Sequence, residues 1–249
     1  MSNFYTSGML TLNKKFGFNV GFSYNNSIDD TYSVFFDGID ERAITTTFDN
    51  SIGLNFTCTM WVKKLPSADG DRIFSSRNSG GSNYIEITRA NDDNLRFYYN
   101  TSPDFFTEVF TTGSHFADGT WSYLTFTWNG SDLKIYANGV LNVTDSNETG
   151  NILSSEINLA SIYGLAGFYA SCNLNELAFF NKEFNATEVT ELYNNGVPAD
   201  LQNLSTSANL VNWWRLGDGD TYPTLIDNVG GSDMEMINMS PANIVTDTP

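Results

Sequence analysis

The stretch Leu133–Val143, LKIYANGVLNV, sets two alternating runs on either side of Asn138-Gly139. Asn-Gly tolerates the positive φ angles of a two-residue turn, so the stretch reads as a tight β-hairpin. The same pattern recurs outward in both directions. YSVFF (from Tyr32), AITTTF (Ala43), FTCTMWV (Phe56), RIFSS (Arg72) and YIEITR (Tyr84) read as strands. So do LRFYY (Leu95), WSYLTFTW (Trp121), INLASI (Ile157) and NELAFF (Asn175). Turn signals lie between them: Asp37-Gly38, Asp69-Gly70, Asp118-Gly119 and Asn129-Gly130. Within FTCTMWV, Phe56, Cys58, Met60 and Val62 share one face, while Thr57, Thr59 and Trp61 share the other. One face should therefore pack against a second sheet. Turns spaced roughly every 8–12 residues suit a sandwich or a barrel.

One helix interrupts this pattern. Asn185-Ala186-Thr187-Glu188 has the form of a capping box, with Asn185 as N-cap and Glu188 at N3. Val189, Leu192 and Tyr193 follow at helical spacing, and Gly196 and Pro198 end the run. Many strands with a single short helix mean an all-β fold. The 249 residues fit one sandwich, and 41% hydrophobic content supplies its core. The expected layout is an N-terminal arm over 1–31 and a sandwich over 32–249. The arm carries Lys14 and Lys15 and reads equally as an extra edge strand.

Composition excludes several functions. Net charge is −17 with a pI near 4.1, so a phosphate backbone or an anionic bilayer would be repelled. No nucleic-acid partner is expected. No apolar run is long enough for membrane insertion, and MSNFYTSGML lacks the basic-then-apolar pattern of a secretory signal. Cys58 and Cys172 sit in separate apolar runs and read as buried free thiols. The single histidine, His115, reads as a solvated loop residue, which removes most histidine catalysis and zinc chemistry. No Gly-x-Ser-x-Gly elbow, GxGxxG or P-loop occurs.

Several motifs, in order, resemble the laminin-G-like, concanavalin-A-like lectin and glucanase family. They are Ser33–Asp40, Phe56–Lys63, Asp118–Trp128, Leu133–Gly139, Leu174–Phe180 and Phe184–Tyr193. The resemblance implies a concanavalin-A-like jelly-roll β-sandwich. A segment that opens many such domains has its counterpart at the end here, at Trp213–Asp220 and Asp227–Asp233. The implied order is permuted, with residues 208–240 completing the sandwich. The ending WWRLGDGDTYPTLIDN also resembles virion proteins of marine phages.

The resemblance implies calcium as the cofactor, held structurally by Asp37, Asp40, Asn175 and Glu176. Asn175 stands where the family has Asp, which removes one charge from the site. Turn capping by Asp37, with hydrogen-bonded structural use of Asn175 and Glu176, is the alternative reading. Glucanases of this fold carry an E-x-D-x-x-E strand that sets two carboxyls on one face. No such motif occurs here: Glu86 stands alone, and Asp233-Met234-Glu235 lacks a third acid. For sugar binding, Tyr98, Tyr99, Trp128, Trp213 and Trp214 are available. Neighbouring aromatics on a strand point to opposite faces, so one of each adjacent pair should be exposed; packing, or an edge against a partner subunit, is the equal alternative, and no single sugar site is named.

The expected function is that of a non-enzymatic virion structural protein: a head decoration, fibre or tail-associated module. It would be made in the host cytoplasm and carried on the extracellular particle, with other virion proteins or its own copies as partners. The alternative is an adhesin domain that binds a host-surface carbohydrate or receptor. A glycoside hydrolase is the third reading.

Overall fold

A computed structural model describes residues 26–249 except 91, 103–104 and 164–165. Most of the expected arm, residues 1–25, lies outside the described residues. The strands, in chain order, begin with β1 (Ser33–Asp37), β2 (Arg42–Thr45), β3 (Phe56–Lys64) and β4 (Arg72–Ser75). There follow β5 (Tyr84–Arg89), β6 (Leu95–Ser102), β7 (Phe105–Phe110) and β8 (Trp121–Trp128). Next come β9 (Leu133–Ala137), β10 (Val140–Asp145), β11 (Ile157–Leu159), β12 (Ser171–Phe180) and the helix α1 (Ala186–Tyr193). The chain ends with β13 (Leu210–Trp214), β14 (Thr224–Leu225), β15 (Met234–Ile237) and β16 (Ile244–Val245).

Two eight-stranded sheets form. The first has the order β10-β9-β8-β3-β12-β1-β16, with β13 also pairing β12. The second runs β14-β15-β2-β11-β4-β5-β6-β7. The long strand β12 is shared end to end along one edge: Asp37 to Val34 of β1 face Ser171 to Leu174, and Trp214 to Leu210 face Leu177 to Phe180. The last part of the chain thus supplies β13 to one sheet and β14 and β15 to the other.

The jelly-roll sandwich has the expected class and hairpin. Ala137 pairs with Val140, and Asn138 and Gly139 between them have φ of 50° and 78°. Phe56, Cys58, Met60 and Val62 enter the inter-sheet core with Leu124, Phe126 and Trp128 of β8. Their strict alternation follows from the pleat. In β12 the alternation slips: Cys172 and Leu174 face the core, then Leu177 and Phe179 do. A bulge between Asn175 and Ala178 causes the slip, and Glu176 there has φ of +53°.

A second apolar layer covers the outer side of the first sheet. Trp61, Tyr123, Tyr136, Ala178, Phe180 and Trp213 pack under Phe184, Val189, Leu192 and Leu201. The capping box of α1 forms as expected: the Asn185 side chain accepts from the backbone of Thr187 and Glu188, and Glu188 accepts from Asn185 N. Cys58 and Cys172 are buried and free.

Candidate functional site

The four residues expected to hold calcium do not form one site. Asp37 lies opposite Ser171, four residues from Asn175, a separation of roughly 13 Å along the strand. Asp37 caps its own turn, accepting from Ile39 N at 2.8 Å, and Asp40 accepts from Asn238 Nδ2 at 3.2 Å. Asn175 donates to Asp30 Oδ1 at 3.0 Å and to the Tyr32 carbonyl at 2.8 Å. Glu176, only 4% exposed, accepts from Trp213 Nε1 and from Arg215 Nε at 3.0 Å. A calcium ion needs six to eight converging oxygens, whereas these donors are spread over two ends of a strand pair. Among the described residues no group of three or more His, Cys, Asp or Glu converges as a cation cage. The set read from the resemblance therefore does not fit a single ion.

Asn175 and Glu176 instead belong to a polar lock. Asp218 accepts from the backbone of Thr31 and Tyr32, and Arg215 donates to the Asp29 carbonyl at 2.6 Å. Gly217 approaches Tyr32 so closely that a Cβ there would meet Tyr32 Cβ at 2.8 Å. Ser27 bridges Ala199, and Ile28 N donates to the Pro198 carbonyl. Residues 26–31, expected to belong to a separate arm, are thus fastened to the sandwich. Burial pushes Glu176 up to about 8 against the pull of Arg215. Burial pushes Asp30 up to about 7, with Asn175 opposing and Asp218 adding to the rise.

The aromatic expectation is also corrected. Tyr99, Trp128 and Trp214 are core residues, and Trp213 is 3% exposed. Alternation does send Trp213 to the outer face, but the layer of α1 and the 197–204 segment covers that face. Only Tyr98 of the five lies on an open surface. It stands on the outer face of the second sheet, in register between Glu86 of β5 and Glu108 of β7.

That open face has a defined construction. The Arg72 guanidinium lies 4.9 Å from the Phe168 ring centre and 5.4 Å from that of Tyr98. Arg96 lies 5.5 Å from Tyr98 and 5.3 Å from Phe110, and Phe106 packs edge-on against Tyr98 at 5.3 Å. The result is a ladder of arginines and rings crossing β4 to β7, held by cation–π contacts. Phe106, at 58% exposure, and Phe110 stay open to solvent. Beside the ladder is a pocket of about 350 Å³, bounded by Arg42 and Ile44 of β2, Asn158 of β11, Glu156, Tyr163 and Tyr169. Such concave sites with a few polar groups among aromatics are the usual ligand sites of proteins.

Catalytic use of the face is opposed by its carboxylates. Glu86 is 1% exposed, with Arg72 Nε at 3.0 Å from one oxygen and Arg77 at 3.5 Å from the other. Tyr98 stands between it and Glu108, which pairs with Arg96 at 3.5 Å. In the other candidate pair, Asp233 accepts from Asp227 N at 2.9 Å through one oxygen, and no third acid joins Asp233 and Glu235 in the sequence motif.

The family model of the concanavalin A-like lectin/glucanases superfamily matches residues 36–190, more than half of the chain. The chain belongs to that superfamily. No curated protein matches this lectin/glucanase-type chain in sequence. Among solved structures, a proposed carbohydrate-binding protein of Bacteroides ovatus aligns with a TM-score of 0.65 at 14% identity. That alignment covers 88% of this chain and 60% of the other. A heptameric SAP-like pentraxin of Limulus polyphemus aligns at 0.52 with 16% identity, covering 67% of this chain and 84% of the other. The binding domain of botulinum neurotoxin DC, solved in complex with SialylT, aligns at 0.51 with 20% identity, covering 65% of this chain and 42% of the other. The chain therefore spans less than two thirds of the Bacteroides and neurotoxin chains. At these identities the likeness is one of fold, and the neighbours are lectin-like and receptor-binding domains.

Proposed function

We propose that this superfamily member is a non-catalytic binding module whose open second-sheet face takes a carbohydrate, with the Tyr163–Tyr169 pocket at its centre. One observation carries the reading: the outer side of the first sheet is sealed by α1, whereas that of the second keeps exposed rings next to polar groups. A saccharide offers an apolar ring face and a rim of hydroxyls. Tyr163 and Tyr169 can stack on the first; Asn158, Glu156 and Arg42 can bond the second. The carbohydrate-binding proposal for the Bacteroides neighbour agrees with this reading. A glycan array followed by calorimetry tests it. A specific hit should weaken about tenfold or more in Tyr163→Ala and Tyr169→Ala. A blank array, or a hit indifferent to both substitutions, would overturn it.

We also propose, from the likeness of the C-terminal ending alone, that the module is carried on a virion. Its partners there would be other virion proteins or its own copies, and the open face would meet a host-surface glycan. Deleting residues 1–25 should leave a folded sandwich that no longer joins particles. Unchanged incorporation would refute residues 1–25 as the anchor.

A further inference from the structure

In so acidic a chain, most cations should find a carboxylate, and nearly all the described ones do. Lys63, Lys64, Arg72, Arg77, Arg89, Arg96, Lys134, Lys182 and Arg215 each lie within 4 Å of an Asp or Glu oxygen. Arg42 alone among the described Lys and Arg residues does not, and it lines the pocket. Its position follows from the strand: Ala43 and Thr45 turn into the sandwich, so Arg42, Ile44 and Thr46 turn out. The one carboxylate that shares the pocket, Glu156, is bonded to Asn158 Nδ2 at 2.9 Å, and burial raises its pKa. A guanidinium left without a counter-ion beside tyrosines is a fork for two oxygens of an oxyanion.

We infer that Arg42 reads the acidic group of the bound sugar, so that the ligand is an anionic glycan. This rests on the carbohydrate reading of the pocket and narrows it. A neutral sugar would leave the guanidinium half-buried and unpaired, whereas an acidic sugar supplies the charge that the chain withholds. The net charge of −17 repels anions at long range, so selectivity must come from this local contact, not from steering.

The experiment uses the whole chain on an array of sialylated, uronic-acid and sulfated glycans, each beside its neutral parent. At least one acidic glycan should bind about tenfold or more tightly than its parent, and added salt should reduce the gap. Arg42→Gln should abolish the gap while Tyr163→Ala weakens acid and parent alike. Arg42→Lys should restore only part, because it keeps the charge and loses the fork. Whether carboxylated or sulfated members respond identifies the anion. Equal binding of parents and acids, or a gap untouched in a folded Arg42→Gln, overturns the inference and leaves the site standing. Binding of all glycans that ignores Tyr163→Ala and Tyr169→Ala overturns the site itself.

Discussion

The two sheets present outer faces built from similar aromatic content but put to opposite uses. On the first sheet, Trp61, Tyr123, Tyr136, Phe180 and Trp213 are roofed by Phe184, Val189, Leu192 and Leu201. On the second, Tyr98, Phe106, Phe110, Tyr163 and Phe168 keep water contact, and arginines fill the gaps between rings. Aromatic residues on a strand do not by themselves mark a binding face. What decides is the chain that follows. Here the segment after β12 folds back on one side only, and the uncovered side retains a usable surface.

The strongest way to break this comparison is to cut into the roofed side. Phe180 is fully buried and packs at a tilt against Phe184, ring centres 4.8 Å apart. Phe180→Ala should cost about 3–5 kcal/mol, and Leu192→Ala about 2–5 kcal/mol, through lost transfer and a cavity. Denaturant unfolding followed by fluorescence checks both. Losses under about 0.5 kcal/mol, the level of a surface substitution, would show that the roof is not a core.

A second effect, spread over several pH units, sharpens the boundary between roof and edge, where Glu176 sits. Its folded-state value of about 8 lies above the ordinary 4.5, so the folded state holds an extra proton between those values. Stability from this group is complete at low pH and is lost as pH rises through about 8. Glu176→Gln does not titrate. The wild type should therefore lose ground to the variant between pH 5 and pH 8, on the order of 1 kcal/mol per pH unit at the steepest. Asp30, pushed up to about 7, has the same sign, so the wild type should lose more ground over this range to Asp30→Asn/Glu176→Gln than to Glu176→Gln alone. Parallel stability curves for wild type and Glu176→Gln would disprove the lock's titration.

Local chemistry explains which features could be read before the fold was known. Asn138-Gly139 and the box at Asn185 act within a few residues, so their turns and caps are written where they act. The alternation of Phe56 to Val62 is equally local. The bulge at Glu176 leaves only a faint mark, the consecutive polar pair Asn175-Glu176 that breaks the alternation begun at Cys172, because Leu174–Phe180 is buried on both sides and the apolar run after it carries no polar phase. The same two-sided burial hides Trp213 beneath a segment that precedes it in sequence. The expected calcium set does not come together because it matched a turn and a strand by motif without the register that separates them. The pocket draws on β2, β11 and the 162–169 region, whose proximity is purely tertiary. One signal was available: Arg42 is a rare cation heading an apolar and threonine-rich strand in an acidic chain.

The mildest perturbation is the most telling about the open face. Tyr163, 41% exposed, and Phe106, 58% exposed, should each tolerate alanine with a stability change within about 0.5 kcal/mol. Phe106 meets Tyr98 edge to face on an exposed surface, and Tyr163 borders a cavity, so neither removal opens a hole in the core. Rings held at a surface without contributing to stability need another reason to be there, and glycan contact supplies one. Thermal melts of the two variants, set beside their binding curves, separate the roles. An unchanged melting temperature with weakened binding keeps the faces distinct. A loss comparable to that of Leu192→Ala would instead make the second face a structural layer like the first, and the contrast between the sheets would be lost.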